Sequence, residues 1–379
     1  MKEIVILHVF DDEKFFDGVS NFFDALNNVH NKYYFYSPDK NYQFKYIKSV
    51  DKITIINDYR KYCNLFSDKE IDIIYFQSLY ANRYNLFNYI SKDKKVIWWC
   101  FGAEIYTSLK GLKPLVNIEL YKPLTKTHIK KYTPINKRIK EFIKSTLGFY
   151  YKKQQEEVIN RIDYFSPVLP IEYELMTQNP KFRAKPFMLN IGPGNYKPKD
   201  FHYNTQPNNI LIGNSSTYTN NHLDIFEILN KINLENFRKY IIPISYGLDY
   251  NNTKHLLKAA ISKEHTIWIE DFIPFKEYTE YFNSITHAIF GHIRQQAMGN
   301  INFCFERGIK IYLYSDSIMY KQLKDLGFIV YTIDFDLNSK SLNQVLSLKE
   351  AQINYNLFCN RIKDRIKNTE IELMNIFIQ

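Results

Sequence analysis

The feature that most constrains the fold is a regular alternation of short, continuous apolar runs with amphipathic segments. In the first half, apolar runs at residues 4–10 and 71–78 are separated by segments whose apolar residues recur at helical spacing, as at Val19, Phe22 and Leu26. Continuous apolar strands joined by helices are typical of a parallel sheet covered on both faces. After a polar stretch at residues 197–209, the same alternation restarts at residue 210. The sequence therefore predicts an α/β protein with two tandem, doubly wound, Rossmann-like domains.

The polar stretch contains two prolines and no hydrophobic periodicity, which is typical of a linker between domains. A chain of 379 residues with 45% hydrophobic content can also bury two ordinary cores. We expect an N-terminal domain over residues 1–200 and a C-terminal domain over residues 207–350. A C-terminal helix within residues 351–379 is expected to pack back toward the N-terminal domain.

The positive charge of the chain is concentrated in one segment. The formal net charge is +10, and the segment from Lys110 to Lys153 carries twelve Lys or Arg residues against Glu119 and Glu141. Apolar residues are interleaved with these charges. Such a segment fits a contact with an anionic membrane surface, a solvated helix pair whose apolar side packs on the sheet, or an RNA-binding surface. The sequence alone leaves these three interpretations open.

Several classes of protein are disfavoured. No apolar run approaches the roughly 20 residues needed to span a bilayer, and the N-terminal run is short and followed by charges, so it predicts a first strand rather than a signal peptide. The cysteines lie far apart and form no metal-ligand spacing, which argues against a structural zinc site and a disulfide framework and favours a reducing cytoplasm. They are Cys63, Cys100, Cys304 and Cys359.

The first candidate site is the loop that follows the strand at residues 210–212, with the sequence Gly213, Asn214, Ser215 and Ser216. A glycine at a strand end permits a sharp turn, and hydroxyls with free amides ahead of a helix can hold a phosphate. The loop is also expected at the carboxyl end of a strand, where open α/β sheets bind ligands. A plain turn has the same pattern. Neither the glycine-rich dinucleotide motif nor the P-loop motif is present.

The second candidate is the loop at residues 292–300, between an apolar strand and a helix. Here Arg294 supplies a permanent forked charge for a diphosphate, and the amides of Gly299 and Asn300 lie at a predicted helix N-terminus. On the helix body, Glu306 could accept hydrogen bonds from a ribose or sugar hydroxyl, or be a solvated surface residue. Tyr246 ends a third strand and could stack on a base or sugar. Three such loops in one domain predict a nucleotide-binding half.

In the first domain, polar residues also follow the predicted strands. A carboxylate at such a position could act as general base toward an acceptor hydroxyl. Glu104, close to Gly102, is the first choice, and Asp11 and His8 are the second. Each of them could instead be a helix cap or a satisfied turn residue.

Four sequence blocks together resemble one family. FGAEIY (101–106), ILIGNSSTYTNNH (210–222), IPISYG (242–247) and IRQQAMGN (293–300) occur in the order of comparable blocks in the TDP-N-acetylfucosamine:lipid II N-acetylfucosaminyltransferases, glycosyltransferase family 56. The resemblance is densest from residue 210 to about residue 308. It implies a GT-B fold, in which two Rossmann-like domains face each other across a cleft and the second mainly holds the nucleotide-sugar donor. It also implies a membrane-associated cytoplasmic enzyme.

Positions that match the family's blocks imply roles. The implied donor-site residues are Gly213, Asn214, Ser215, Arg294, Gln295, Gln296 and Gly299. Glu104 stands at the place of an acidic residue in the family. The chain departs from the family pattern at Phe101, where the family has Trp, at Asn300, and at Glu306, where a Gln is expected.

The sequence and the resemblance together predict a glycosyltransferase, of the hexosyltransferase class. It would move a 4-acetamido-4,6-dideoxyhexose from a TDP-sugar to an undecaprenyl-diphosphate-linked oligosaccharide during surface polysaccharide synthesis. It would act as a peripheral protein on the cytoplasmic face of the bacterial inner membrane, through the Lys110 to Lys153 segment, with no nucleic-acid partner. No cofactor or metal is expected, because Arg294 and the helix amides would stabilise the leaving diphosphate.

Two alternatives stay open. The first is a transferase of the same fold that uses another nucleotide sugar for lipopolysaccharide or capsule. The second is a basic nucleic-acid-binding protein that performs no chemistry.

Overall fold

In the computed structural model, the chain forms two compact units. Unit 1 contains residues 1–117, 139–197 and 364–379, and unit 2 contains residues 118–138 and 198–363. The structure describes residues 3–107, 114–133, 135–136, 149–189, 200–233, 238–247, 253–261, 265–363 and 365–378.

Unit 1 is built on a seven-stranded parallel sheet with the order β3-β2-β1-β4-β5-β6-β7. Its strands are β1 (Ile4–Val9), β2 (Val29–Tyr36), β3 (Ile53–Ile56), β4 (Ile73–Gln77), β5 (Lys95–Trp99), β6 (Tyr164–Ser166) and β7 (Lys185–Pro186). Its helices are α1 (Glu13–Phe23), α2 (Tyr59–Asn64), α3 (Ala103–Tyr106), α5 (Phe149–Arg161), α6 (Pro170–Thr177) and α14 (Arg365–Ile378). Every residue of β4 is buried, as expected for a strand covered on both faces.

The core of unit 1 ties its last helix to its first strands. Residues of β1, β4 and β5 pack with α1 and with Leu373 and Ile376 of α14. Burial of an aliphatic side chain contributes about 2 kcal/mol, so these two residues are sufficient to hold α14 on unit 1. The sequence predicted one long C-terminal helix. The structure has two, α13 (Leu348–Ile362) in unit 2 and α14 in unit 1.

Unit 2 contains a six-stranded parallel sheet with the order β10-β9-β8-β11-β12-β13. The strands are β8 (Asn209–Ile212), β9 (Tyr240–Pro243), β10 (Thr266–Ile269), β11 (Ile285–Phe290), β12 (Lys310–Leu313) and β13 (Tyr331–Thr332). Besides α13, the helices are α4 (Pro123–Tyr132), α7 (His222–Leu229), α8 (Thr253–Ala260), α9 (Phe275–Tyr281), α10 (Met298–Glu306), α11 (Ile318–Asp325) and α12 (Ser339–Leu342).

The strand orders locate a switch point in each sheet. In unit 2, β8 lies between β9 and β11, so the chain builds outward from β8 first to one side and then to the other. In unit 1, β1 lies between β2 and β4 in the same way. Loops at the carboxyl ends of the strands diverge at such a point and leave a crevice, where open α/β sheets bind ligands.

One part of the chain lies in a different unit from the one expected. Residues 118–138 belong to unit 2, although the sequence placed them in the N-terminal domain. The Asp224 carboxylate explains this, because it accepts hydrogen bonds from the backbone N–H groups of Leu124 and Thr125 at the start of α4, at 2.8 and 3.0 Å. Ile118 also packs against the core of unit 2.

Only part of the basic segment can be described. Lys110, Lys113, Lys137, Arg138, Lys140 and Lys144 lie outside the described residues. In α4, the side chains of Leu124 and Tyr132 are about two-fifths exposed, next to Lys130 and Lys131. Within the described ranges, no helix combines the length and the apolar character that crossing a bilayer requires.

Candidate functional site

The loop after β8 turns at Gly213, whose φ of +66° lies in the left-handed region. A Cβ atom at this position would come within 2.6 Å of His222 Nε2 and 2.7 Å of Asn220 Oδ1, so the packing as well as the backbone favours glycine. The Gly213 N–H donates to the carbonyl of Ile289 in β11 at 2.9 Å. This bond ties the loop to the neighbouring strand at the switch point.

A network of side-chain amides joins this loop to the loop after β11. Asn214 Oδ1 accepts a hydrogen bond from Gln296 Nε2 at 2.9 Å and lies 3.1 Å from His292 Nε2. Asn220 Oδ1 accepts from the Asn214 N–H at 3.0 Å and lies 2.7 Å from the same His292 nitrogen. The structure thus brings Asn214 and Gln296, both predicted donor-site residues, into direct contact.

The two histidines of this network are neutral. Burial, reinforced by the positive charge of Arg294, lowers the pKa of His292 well below its usual value. Burial lowers the pKa of His222 to about 4. A neutral His292 that carries its proton on Nε2 can donate to the amide oxygens it faces. The permanent positive charge of this loop is therefore that of Arg294.

A row of hydroxyls runs beside the amides. Ser215 Oγ lies 2.9 Å from Thr217 Oγ1, which in turn lies 3.1 Å from Thr219 Oγ1. Thr219 Oγ1 donates to Gln296 Oε1 at 2.8 Å, which closes the row against the second loop. Ser215 is fully buried, so its hydroxyl organises the loop from within.

The loop after β9 joins the same cluster through Tyr246. The Ser216 N–H and Oγ both donate to the Tyr246 carbonyl, at 2.9 and 3.0 Å, and Asn214 Nδ2 donates to the Tyr246 hydroxyl. Gly247 has a φ of +108°, and a Cβ there would lie 2.7 Å from Ser216 Oγ. The Tyr246 ring remains about half exposed, which leaves it accessible for stacking.

The helix α10 begins at Met298, four residues after Arg294. Ala297 precedes the helix in the left-handed conformation, with φ 61° and ψ 24°. Among the described residues, no heavy atom lies within 4 Å of the position that a Cβ of Gly299 would occupy, so the space beside this residue is open. The backbone amides in the first turn of a helix carry a partial positive charge and can bind anions. Arg294 is partly buried, and its Nη1 donates to the Gln295 carbonyl at 2.7 Å.

Two of the predicted donor residues are engaged in other contacts. The Asn300 side chain donates to the Tyr278 hydroxyl at 2.9 Å, so its contribution at the helix N-terminus is the backbone amide. Glu306 ends α10, is fully buried, and pairs with Arg307 Nη1 at 3.2 Å. The donor-site role of Glu306 stays a prediction.

In unit 1, Asp11 lies at the switch point. Its Oδ1 is 2.5 Å from Nη2 of Arg83, and half of its side chain is exposed. Arg83 is almost fully buried, and its Nη1 donates to the carbonyls of Gln77, Ser78 and Val9 at 2.8, 2.9 and 3.3 Å. Sequence reasoning missed Arg83, because an isolated arginine in an aromatic-rich segment forms no recognisable motif.

Glu104 lies in the first turn of α3 and is 5% exposed. Its Oε1 accepts from the Phe101 N–H at 2.8 Å and from Trp98 Nε1 at 3.4 Å, while its buried Oε2 has no hydrogen-bond partner among the described residues. Burial raises the pKa of this carboxyl group. The structure thus gives Glu104 contacts within its own loop.

His8 lies within β1, fully buried, and its ring contacts those of Phe23, Tyr33 and Tyr75. Its Nε2 lies 2.9 Å from Asn31 Oδ1, and burial lowers its pKa to about 4. The side chain points into the core rather than toward the strand end, so the structure keeps it apart from Asp11.

The side chains that could ligate a metal ion do not cluster within the described part of the chain. Among the residues that the structure describes, no group of three or more His, Cys, Asp or Glu side chains could hold a metal ion.

No family model matches the sequence, and no curated protein matches it. Among solved structures, the lipopolysaccharide outer core galactosyltransferase WaaB matches with a TM-score of 0.58 and 11% identity, over 97% of this chain and 99% of its own. An α,α-trehalose-phosphate synthase (UDP-forming) from Burkholderia xenovorans matches with a TM-score of 0.59 and 8% identity, over 100% of both chains.

A third match is a mutant of TarM from S. aureus, in complex with fondaparinux, α-GlcNAc-glycerol and UDP. Its TM-score is 0.52 and its identity 9%, over 84% of this chain. This chain spans 58% of the length of TarM. Together with the two parallel sheets, these likenesses show that the chain has the GT-B fold, as the sequence predicted.

Proposed function

We propose that this chain is a glycosyltransferase that binds a nucleoside-diphosphate sugar through the loop cluster of unit 2. The observation that carries the proposal is the meeting of three strand-end loops at the switch point, where Arg294 precedes the N-terminus of α10 and the space beside Gly299 is open. The names of the structural neighbours support it, because they describe a galactosyltransferase, a UDP-forming synthase and a complex with UDP.

In the proposed reaction, the residues of the loop cluster would act on the diphosphate, which is the leaving group. Transfer breaks the bond between the sugar and the diphosphate, and negative charge then accumulates on the diphosphate oxygens. The Arg294 guanidinium and the α10 amides are placed to stabilise that charge without reorganising. Because they supply positive charge at this position, we also propose that the reaction requires no metal ion. Activity that survives EDTA would agree with this.

The acceptor hydroxyl must lose a proton as it attacks the sugar. We propose Asp11 as the general base ahead of Glu104, because half of the Asp11 side chain is exposed whereas Glu104 is 5% exposed and bonded within its own loop. A base must reach the proton that it removes. Asp11→Asn should lower kcat by at least about a hundredfold while donor binding is retained.

For the substrates, we propose the assignment implied by the resemblance. The donor would be a TDP-linked 4-acetamido-4,6-dideoxyhexose and the acceptor an undecaprenyl-diphosphate-linked oligosaccharide at the cytoplasmic face of the inner membrane. A UDP-sugar used for lipopolysaccharide or capsule is the second candidate, favoured by the UDP in the names of two neighbours.

The lipid-linked acceptor requires the protein to reach a membrane, and α4 offers a suitable surface. Lys131 Nζ lies 5.3 Å from the centre of the Tyr132 ring. Lys130 and Lys131 are exposed, and Leu124 and Tyr132 are partly exposed on the same helix. Cations adjacent to apolar side chains favour an anionic lipid surface. We expect binding to vesicles that contain anionic phosphatidylglycerol, and the Lys130→Glu, Lys131→Glu double variant should weaken it.

The experiment that tests the donor site is a thermal-shift comparison of TDP, UDP, GDP and CMP. Arg294→Ala removes a charged donor to phosphate and should weaken binding of the preferred nucleotide about a hundredfold. The matched control is Arg60→Ala, which removes an exposed arginine of unit 1 and should bind as the wild type does. Stabilisation by TDP supports the first donor and stabilisation by UDP the second. No stabilisation by any nucleotide at millimolar concentration would contradict the proposal.

A further inference from the structure

Tyr121 is held next to the loop cluster of unit 2 by a single asparagine. Asn221 Oδ1 accepts from the Lys122 N–H at 2.9 Å, and Asn221 Nδ2 donates to the Leu120 carbonyl at 3.1 Å. The same Nδ2 donates to the carbonyl of Gly291 at 2.7 Å. Both neighbours of Tyr121 are therefore bonded to the residue that also binds the loop leading to Arg294.

Further contacts fix the segment on the C-terminal side of Tyr121. Lys122 Nζ lies 2.9 Å from an Asp316 carboxylate oxygen and 4.2 Å from the centre of the Tyr314 ring. The Asp224 carboxylate holds the start of α4, as described above. On the N-terminal side, Leu120 is buried. The backbone at Tyr121 is thus constrained on both sides, although it lies far from the loop cluster in sequence.

The Tyr121 hydroxyl shares the electrostatic environment of Arg294. Burial raises the pKa of Tyr121, while the nearby Arg294 charge acts in the opposite direction. Arg294 acts in the same direction on Tyr246, whose pKa burial raises to about 12. Both phenols are therefore neutral, and the charge of the same guanidinium acts on both. A guanidinium and an adjacent O–H donor form a suitable arrangement for a phosphate oxygen.

From this arrangement we infer that Tyr121 is a ligand-contacting residue of the donor site, and that its hydroxyl donates to the diphosphate beside Arg294. Residues 118–125 then form a fixed wall of the site rather than part of the acceptor-side domain. This inference rests on the proposed function, because it requires the loop cluster to bind a nucleoside diphosphate.

The test is Tyr121→Phe, which removes the hydroxyl and keeps the ring. The matched control is Tyr89→Phe, the same substitution at an exposed tyrosine of unit 1. Binding of UDP, TDP and the corresponding nucleosides is measured by calorimetry or saturation-transfer NMR. For Tyr121→Phe we expect about a tenfold loss of affinity for the preferred nucleoside diphosphate, with unchanged nucleoside binding and melting temperature. Tyr89→Phe should match the wild type.

The possible binding results distinguish failure of this inference from failure of the proposed function. Wild-type affinity for the diphosphate in Tyr121→Phe, while Arg294→Ala still loses it, overturns this inference and leaves the proposed function intact. An equal loss for nucleoside and diphosphate also overturns it, because the hydroxyl would then not act at the phosphates. Failure of the wild type to bind any nucleotide overturns both. A larger loss in Tyr121→Ala than in Tyr121→Phe would support the wall formed by residues 118–125.

Discussion

The two sheets of this molecule share a topology but differ in what occupies their switch points. In each unit the first strand lies between the second strand and a later one, so the loops diverge at the same place. In unit 2 that place is filled by the amides and hydroxyls of Asn214, Thr219 and Gln296. In unit 1 it is filled by Arg83, whose donors are directed at backbone carbonyls. Topology thus determines where a ligand can bind, and the side chains determine which unit is equipped for a nucleotide.

The two arginines make the contrast sharper. Arg83 is 3% exposed, and its guanidinium joins the ends of β1 and β4. Arg294 is partly buried and precedes the N-terminus of α10, where the space beside Gly299 is open. The first arginine serves chiefly to hold unit 1 together, whereas the second is placed to meet an anion.

The largest expected difference between the two units is in how much stability each loses when the pH is lowered. Burial lowers the pKa of His8 in unit 1 to about 4. In unit 2 it lowers that of His222 to about 4, that of His287 to about 3, and that of His292 well below its usual value. All of these folded-state values lie below the unfolded value of 6.5, so from pH 6.5 downward the unfolded chain binds protons that the folded chain does not. Stability is therefore complete above pH 6.5 and falls as the pH is lowered. At pH 5 the loss is about 2 kcal/mol for a histidine whose pKa falls to about 4, so unit 2, which holds three of these four histidines, should lose more stability than unit 1.

Tryptophan positions allow this to be measured. Trp98 and Trp99 lie in β5 of unit 1, and Trp268 lies in β10 of unit 2. In a Trp268→Phe variant, fluorescence reports unit 1 and circular dichroism reports both units. Thermal unfolding at pH 7.5, 6 and 5 should show the dichroism transition move down in temperature before the fluorescence transition. Transitions that coincide at all three pH values would contradict the expected difference.

Methionine substitutions at the two arginines should affect different properties, namely stability for Arg83 and nucleotide binding for Arg294. Arg83→Met leaves buried carbonyls without a donor and should lower the free energy of unfolding by about 3 kcal/mol. Arg294→Met should lower it by less than about 1 kcal/mol but weaken nucleotide binding. Urea unfolding followed by circular dichroism measures the first quantity and calorimetry the second. Equal losses of stability in both variants would show that the two arginines have the same role.

Alanine substitutions at two glycines of unit 2, Gly291 and Gly299, should differ in their effect on stability. A Cβ at Gly291 would lie 2.2 Å from the Asn220 carbonyl oxygen, so Gly291→Ala forces the two loops apart. It should cost about 2 kcal/mol of stability and weaken nucleotide binding. Gly299→Ala places its methyl group in open space, so its stability should change by less than about 1 kcal/mol. If the first turn of α10 approaches the diphosphate closely, Gly299→Ala should still lose affinity severalfold. Wild-type affinity in Gly299→Ala would place the ligand elsewhere.

The sequence predicted the two sheets because continuous apolar strands and helical spacing are local patterns. It also placed Gly213 and Arg294 on strand-end loops for the same reason. It could not predict that residues 118–138 belong to unit 2, because the anchors Asn221 and Asp224 lie about a hundred residues further along the chain. Glu306 lies six residues after Asn300, so its side chain points roughly 120° around the helix from that of Asn300. Its burial depends on how α10 packs, which the sequence does not specify. The contacts of Arg83 likewise depend on the tertiary structure.

The central claim is that nucleotide binding belongs to the loop cluster of unit 2. Hydrogen–deuterium exchange of the wild-type chain, with and without a saturating concentration of the nucleotide that stabilises it, tests this directly. The account predicts slower exchange at residues 213–221 and 291–300 when nucleotide is present, with unchanged exchange at the carboxyl ends of β1 and β4. Protection confined to the loops of unit 1, around Asp11 and Arg83, would contradict it.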